Sequence, residues 1–184
     1  AENQTAATTV TATDPDGDTL TYSISGGADQ SKFSIVGASG VLTFSTAPDR
    51  ENPTDAGTNN TYVVEVTATD DGSGALTDVQ TLTVTVTNAN DAPAITSNGG
   101  GATANKSVAE NQTAVTTVAA SDPDGDAVTY SITGGADQSK FSIVSSTGVL
   151  TFLTAPDREN PTDSNMNNTY VVEVTATDDG SGAL

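Results

Sequence analysis

Residues 79–93 read VQTLTVTVTNANDAP. In residues 79–87 apolar and polar side chains alternate, with Leu82, Val84 and Val86 on one face and threonines on the other. Strict alternation over this length is typical of a β-strand that buries one of its faces. The Asn, Asp and Pro residues that follow favour a turn or a linker. The stretch therefore predicts a strand that closes one folded unit and a short linker that leads into the next.

The chain is a tandem repeat. Without a gap, Glu2–Leu76 aligns with Glu110–Leu184, and about four-fifths of the aligned positions are identical. A unit of about a hundred residues has the length of an independently folding domain. We predict domain 1 at residues 1–91, without its opening segment, and domain 2 at residues 92–184, without its closing strand. This register indicates an excerpt of a longer array.

Other β-rich segments are separated by turn residues at the spacing of a β-sandwich. In the first repeat the predicted strands are Thr8–Thr13, Thr19–Ser25, Lys32–Val36, Val41–Ser45, Thr61–Thr69 and Val79–Thr87. Gly37–Gly40 predicts a hairpin turn. With seven strands in a complete unit, the pattern predicts an all-β fold of two tandem Greek-key, immunoglobulin-like β-sandwiches.

The acidic composition excludes several functions. The chain has 24 acidic and 5 basic residues, and its formal net charge is −19. Nucleic acids and anionic membrane surfaces are not expected as partners, because both attract basic proteins. Cys and His are absent, which removes thiol nucleophiles, Cys/His zinc sites and imidazole bases. No segment is apolar enough for membrane insertion as a helix.

The acids concentrate at predicted turns and strand ends, and they recur in both repeats. The recurring groups are Asp14-Pro15-Asp16-Gly17-Asp18 with Asp122-Pro123-Asp124-Gly125-Asp126, Asp49-Arg50-Glu51 with Asp157-Arg158-Glu159, Asp70-Asp71 with Asp178-Asp179, and Glu2 with Glu110. Asp also favours turns for conformational reasons alone. A hard cation such as Ca²⁺ takes about six to eight oxygen ligands. The joint recurrence of all four groups favours a cation site.

Taken in order, these residues resemble the cadherin repeat. The matching motifs are Glu2 near the domain start, Asp49-Arg50-Glu51, the linker Asn88-Ala89-Asn90-Asp91-Ala92-Pro93, the alternating Asp14 and Asp16, and Ala68-Thr69-Asp70. The DPDGD form and the near-identical copies are similar to bacterial cadherin-like repeats of large surface adhesins and matrix proteins. The resemblance implies a calcium-dependent structural or adhesion protein at the cell surface or outside the cell, in which Ca²⁺ between successive domains rigidifies a rod-like array.

The resemblance also implies a ligand set. At the junction between the two repeats the expected ligands are Glu2, Asp49, Glu51, Asn88, Asn90, Asp91, Asp122, Asp124 and Asp178. The ligands expected toward a preceding repeat are Asp14, Asp16 and Asp70, and those toward a following repeat are Glu110, Asp157 and Glu159. Cadherins usually have Asp where this chain has Asn88, so two or three ions per junction stay open. Arg50 and Arg158 are expected to balance charge.

Other functions predict different features. An enzyme is not expected, because every acidic group recurs in a near-copy and Trp is absent. A polysaccharide- or cell-binding module predicts a surface that differs between repeats, and the main difference is Ala56-Gly57-Thr58 against Ser164-Asn165-Met166. An extracellular filament built by edge-strand pairing is a further alternative. The expected partners are neighbouring repeats of the same or an identical chain and, under the first alternative, cell-surface or matrix glycans.

Overall fold

The structure, a computed structural model, describes residues 1–181. The strands within that range are β1 Ala6–Thr9, β2 Leu20–Gly26, β3 Phe33–Ile35, β4 Val41–Phe44, β5 Thr61–Asp70, β6 Thr77–Thr85, β7 Ala94–Ile95, β8 Ala114–Thr117, β9 Ala120–Ser121, β10 Thr129–Gly134, β11 Phe141–Ile143, β12 Val149–Phe152 and β13 Glu173–Thr177. Short 3₁₀ turns lie at Gln30–Lys32, Ser97–Gly99 and Gln138–Lys140. None of the described residues forms a helix with the length and apolar content needed to cross a membrane.

The chain divides into two compact units within the predicted linker. Unit 1 runs from Ala1 to Ala89, and unit 2 begins at Asn90. In unit 1, strands β1, β4 and β3 form one antiparallel sheet and strands β2, β5 and β6 form the other. The predicted all-β sandwich is therefore confirmed, and the chain crosses between the two sheets after β1, β2 and β4.

Alternation along β5 supplies the centre of the unit 1 core. Tyr62, Val64 and Val66 are each at most 1% exposed, whereas the residues between them are half-buried. The Tyr62 ring meets the stacked rings of Phe33 and Phe44 edge-on, with centroid distances of 6.3 and 5.1 Å. Each buried side chain of this size contributes about 1.5–3 kcal/mol to folding. The period-2 pattern thus places every second residue between the two sheets.

The predicted hairpin turn between β3 and β4 is confirmed. The backbone N–H of Val36 donates to Val41 O at 2.9 Å, and that of Gly40 donates to Val36 O at 2.8 Å. Gly40 has φ +68°, and a Cβ at this position would collide with the Val10 carbonyl oxygen. Glycine is therefore required here both for its backbone conformation and for the close approach of β1.

Unit 2 repeats this architecture with fewer paired strands. One sheet contains β8, β12 and β11, a second contains β10 and β13, and β7 pairs with β9. Its buried core is formed by Phe141, Leu150 and Phe152. The rings of the two phenylalanines stack with their centroids 4.6 Å apart. The core is smaller than that of unit 1 because several equivalent side chains are only partly buried.

One identical ten-residue sequence has two different strand lengths. Residues 61–70 and 169–178 both read TYVVEVTATD, but β5 covers the whole segment and β13 covers Glu173–Thr177 alone. In unit 1, Thr61–Val64 pair with β6 and not with β2. In unit 2 the pairing of Glu173–Thr177 is with β10. The strand is therefore as long as the partner strands that its backbone groups can bond.

Candidate metal centre

Glu2 organises the acidic residues at the end of unit 1. Its side chain is 1% exposed, and its two carboxylate oxygens accept hydrogen bonds from the backbone N–H groups of Arg50, at 2.7 Å, and Ala89, at 2.8 Å. The backbone N–H of Glu2 donates to Thr87 O at 2.9 Å. Glu2 thus fixes both the Asp49-Arg50-Glu51 motif and the chain that leaves β6. We call Glu2, Asp49, Glu51 and Asn88 the exit cluster of unit 1.

The other members of this cluster use their oxygens differently. A carboxylate oxygen of Glu51 lies within 4.8 Å of one of Glu2. Asp49 accepts hydrogen bonds from the Asn52 side chain and backbone, both at 2.9 Å, and these bonds hold the pKa of Asp49 below its ordinary value. Asn88 Oδ1 accepts a hydrogen bond from Arg50 Nη1 at 2.7 Å. Glu2 and Glu51 are therefore the pair in this cluster that converges as cation ligands do.

The start of unit 2 carries the second group, the entry cluster of unit 2. It contains Asn90, Asp91, Asp122, Asp124 and Asp178. Asp178 is 4% exposed, and its Oδ1 atom accepts hydrogen bonds from Asn90 Nδ2 at 3.1 Å and from the Gly180 backbone N–H at 2.8 Å. Asp124 Oδ2 accepts one from the Asp91 backbone N–H at 2.7 Å. Both linker residues are thus bonded to the acids of their own unit.

Two buried carboxylate oxygens in the entry cluster of unit 2 fit a cation. Asp122 Oδ2 and Asp124 Oδ1 are buried and accept no hydrogen bond from the described residues. Asp122, Asp124 and Asp126 each place a carboxylate oxygen within 4.8 Å of the others. Buried carboxylate oxygens need a donor or a cation to compensate for lost hydration. The donor set is all oxygen, which suits Ca²⁺ and does not suit softer metals.

The charge of the same loop is unbalanced without an ion. Burial and the charges of Asp122, Asp179, Asp124 and Asp178 raise the pKa of Asp126 above its ordinary value. In unit 1, burial and the charges of Asp14, Asp71 and Asp70 raise the pKa of Asp18. Like charges at short distance disfavour the ionised form. A bound cation reverses this effect, because it favours the charged carboxylates.

The two remaining clusters consist of equivalent residues with greater exposure. The entry cluster of unit 1 contains Asp14, Asp16 and Asp70, and the exit cluster of unit 2 contains Glu110, Asp157 and Glu159. The three acids of the latter are exposed and place oxygens within 4.8 Å of one another. Within unit 1, Asp14 Oδ1 accepts from the Asp16 backbone N–H at 2.8 Å, and Asp16 is exposed. The predicted residues thus lie in four groups, each inside one unit.

Comparison with known proteins identifies the chain. The family model for the cadherin domain matches residues 1–87 and 105–184. The chain belongs to the cadherin domain family. Cadherin domains are structural adhesion modules of the extracellular regions of adhesion proteins. The suspected membership in the cadherin family and the predicted tandem arrangement are therefore confirmed.

The similar proteins are large animal cadherins. Mouse protocadherin Fat 4 is 38% identical over 159 residues, which is 83% of this chain and 3% of that protein. Human protocadherin Fat 1 is 33% identical over 165 residues, 88% of this chain and 3% of that protein. The chain thus spans a small fraction of these cadherins. Among solved structures, Drosophila N-cadherin EC1-4 covers 95% of this chain at 21% identity and TM-score 0.57, with 41% of that chain matched.

A two-domain cadherin structure gives a similar result. Human protocadherin-24 EC1-2 covers 97% of this chain at 24% identity and TM-score 0.53, and 79% of that chain is matched. At this level of identity the likeness concerns the fold. The ligand assignments of this chain depend on its own residues, which are described above.

Four buried aspartates of these cadherin repeats were missed by the sequence analysis. Asp29 accepts hydrogen bonds from the backbone N–H groups of Ala56, at 2.7 Å, and Val63, at 2.8 Å. Burial raises the pKa of Asp55, but hydrogen bonds from the backbone N–H groups of Asn59, Asn60 and Gly57 outweigh it and lower the pKa. The equivalents in unit 2 are Asp137 and Asp163. These acids fix a loop through backbone hydrogen bonds and are not members of the four acidic clusters; their recurrence in both repeats was the available signal.

Proposed function

We propose that this chain is a calcium-dependent, extracellular adhesion repeat pair in which Ca²⁺ is held by oxygen ligands from successive domains and stiffens the joint. The observation that supports this proposal is that linker residues are hydrogen-bonded to acids of each unit. The Ala89 N–H is bonded to Glu2, and the Asp91 N–H is bonded to Asp124. Only Asn90 separates these two linker residues in the chain. Carboxylates of unit 1 and of unit 2 are thus hydrogen-bonded to linker residues that lie two positions apart in the chain.

The proposed ligands are the members of both clusters whose oxygens suit a cation. They are Glu2, Asp49, Glu51, Asn90, Asp91, Asp122, Asp124 and Asp178. Asn88, which the cadherin resemblance also implies, has its carbonyl oxygen bonded to Arg50 and is left out of this set. Asp14, Asp16 and Asp70 would serve a preceding repeat, and Glu110, Asp157 and Glu159 a following one.

Each ligand class has a defined task. The acids of unit 1 and unit 2 supply negative charge from the two sides of the linker, and bound calcium supplies the positive charge that lets them stay together. The side-chain nitrogen of Asn90 donates a hydrogen bond to Asp178. The carbonyl oxygen of the same side chain is the atom that we propose as a cation ligand. Without compensation the acids of the two units repel one another. Binding therefore couples to order at the joint.

The setting follows from the same chemistry. A joint that depends on calcium is effective where calcium is abundant, so the extracellular side or the cell surface is the proposed location. The neighbours of each repeat in a longer array are the proposed partners. The near-identity of the two copies supports a bacterial surface or matrix adhesin as the parent protein. Glycan binding has less support, because all Tyr and Phe rings lie in the described part of the chain and are buried or half-buried.

Thermal unfolding in calcium, in magnesium and in EGTA tests the proposal. Calcium at about a hundred times its Kd should stabilise the folded chain by about 2.7 kcal/mol for each site that the unfolded chain lacks. Magnesium, which demands a smaller octahedral site, should stabilise it less. Small-angle scattering should show a more variable particle in EGTA. Identical melting curves in calcium and EGTA would refute the calcium-dependent function.

Edge-strand pairing is a second candidate supported by one observation. Strand β13 pairs with β10 alone among the described residues, and the exposed Val171 lies two residues before this strand. The edge of such a strand can accept a strand from another chain. Analytical ultracentrifugation over a range of protein concentrations distinguishes this candidate, since it requires reversible self-association.

A further inference from the structure

Arg50 bonds the first residue of the linker through its side chain. Its Nη1 atom donates to Asn88 Oδ1 at 2.7 Å, and its backbone N–H donates to Glu2 at 2.7 Å. The same guanidinium lies 3.9 Å from Glu51 Oε1. Arg50 is the middle residue of the motif that supplies two of the proposed ligands. It therefore contacts acids and linker at once.

This bond changes the chemical role of Asn88. An Asn side chain can ligate a hard cation only through its oxygen, because the amide nitrogen carries two hydrogens and is not a ligand. In Asn88 that oxygen faces a guanidinium, which stays charged at every physiological pH. A divalent cation on this neutral oxygen would lie close to a permanent positive charge, whereas Glu51, 3.9 Å from the same guanidinium, carries a negative charge that offsets it. Asn90 is the opposite case, since it donates Nδ2 and keeps its oxygen.

Thr87 and the first two residues of the linker are held by unit 1 through hydrogen bonds. Thr87 O accepts from the Glu2 backbone N–H, Asn88 Oδ1 accepts from Arg50, and the Ala89 N–H donates to Glu2. These bonds tie residues 87–89 to unit 1.

We propose that Arg50 is a positioning residue that latches Asn88, and that Asn88 orders the linker and is not a calcium ligand. The calcium part of this inference rests on the proposed function, whereas the latch itself does not. The role of Arg50 thereby extends beyond the charge balance expected from the sequence.

Calorimetric calcium titration tests the ligand assignment with two matched variants. Asn88→Ala should leave the number of ions unchanged and the Kd within about twofold, whereas Asn90→Ala, which removes a ligand oxygen, should weaken binding about tenfold. A tenfold loss in Asn88→Ala that Arg50→Gln does not share, or a lost ion, would show that Asn88 is a ligand and would overturn the assignment.

Hydrogen exchange in EGTA tests the latch separately. Arg50→Gln and Asn88→Ala should each accelerate exchange of the Ala89 N–H about fivefold. The double variant should exchange at nearly the same rate as either single variant, because both substitutions remove the same bond. Unchanged exchange, or additive effects, would overturn the latch. Both residues are exposed, so the variants should fold. If the unaltered chain binds no calcium, the proposed function fails and the exchange measurement still decides the latch.

Discussion

Glu2 and Glu110 occupy the same position in the two repeats, yet Glu2 is buried and Glu110 is exposed. Glu2 accepts two backbone hydrogen bonds, whereas Glu110 accepts one, from Arg158, at 3.1 Å. The second donor to Glu2 is Ala89 of the linker. The greater burial of Glu2 thus accompanies its contact with the linker.

The entry clusters differ in the same way. Asp124 is half-buried and bonded to the linker N–H of Asp91, whereas its equivalent Asp16 is exposed. Both lie in the sequence DPDGD, and in both loops the side chain of the first aspartate accepts hydrogen bonds from the backbone N–H groups of the second and third aspartates. The loop conformation is therefore local, and the environment of Asp124 differs through its bond to the linker residue Asp91.

The glutamate pair gives the largest expected difference between the units. Glu2→Ala should reduce the free energy of unfolding of unit 1 by about 3 kcal/mol, because two buried backbone donors lose a charged acceptor. Glu110→Ala should reduce that of unit 2 by less than about 0.5 kcal/mol. Hydrogen exchange along a urea series in EGTA resolves the units. Equal losses in both units would contradict the role given to the linker.

The aspartate pair should separate the two entry clusters by calcium affinity. Asp124→Asn should weaken binding about tenfold, or about 1.4 kcal/mol, since a ligand charge is lost. Asp16→Asn, in the same loop of unit 1, should change affinity about twofold at most. Isothermal titration calorimetry on both variants measures this. The comparison breaks down if Asp16→Asn is the more damaging substitution.

Lowering the pH should reduce the stability of both units to a similar extent, which is the smallest expected difference between them. Hydrogen bonds from backbone N–H groups outweigh burial and lower the pKa of Asp55 and Asp163. Their stabilising contribution is present above the ordinary aspartate pKa, about 4, and is lost as pH falls through the lower folded-state pKa. In EGTA, Asp55→Asn and Asp163→Asn should each make the free energy of unfolding fall less steeply as the pH is lowered, and to a similar extent. A response confined to one unit would contradict the shared loop anchor.

The fold could be predicted from the sequence where a strand has one buried face. Thr61–Thr69 was predicted and Thr61–Asp70 is observed, because alternation there reflects burial between two sheets. Thr8–Thr13 was predicted and Ala6–Thr9 is observed. This edge strand ends where its pairing with β4 ends, and side-chain pattern carries little information about edge pairing. The short pair β7 and β9 has too few residues to show a period.

The sequence could predict which residues form the candidate site, but it could not predict the contacts that each of them makes. Recurring acids and their order indicate which residues gather, because a repeat preserves position. They do not indicate that Asn88 bonds Arg50, or that Asp29 and Asp55 anchor a loop, since both depend on contacts between residues distant in sequence. Turn chemistry and cation binding call for the same residue types, so the sequence could not separate these roles.

The attachment of Thr87 and Ala89 to Glu2 also determines where mechanical tension enters the sandwich. A pull on the chain through residue 90 loads these two bonds before it reaches the β5–β6 ladder, because both lie between the pulled end and the last strand. Glu2 belongs to the opposite end of the same unit in sequence. Force is thereby passed to the first residues of the domain, and β6 does not have to bear it alone.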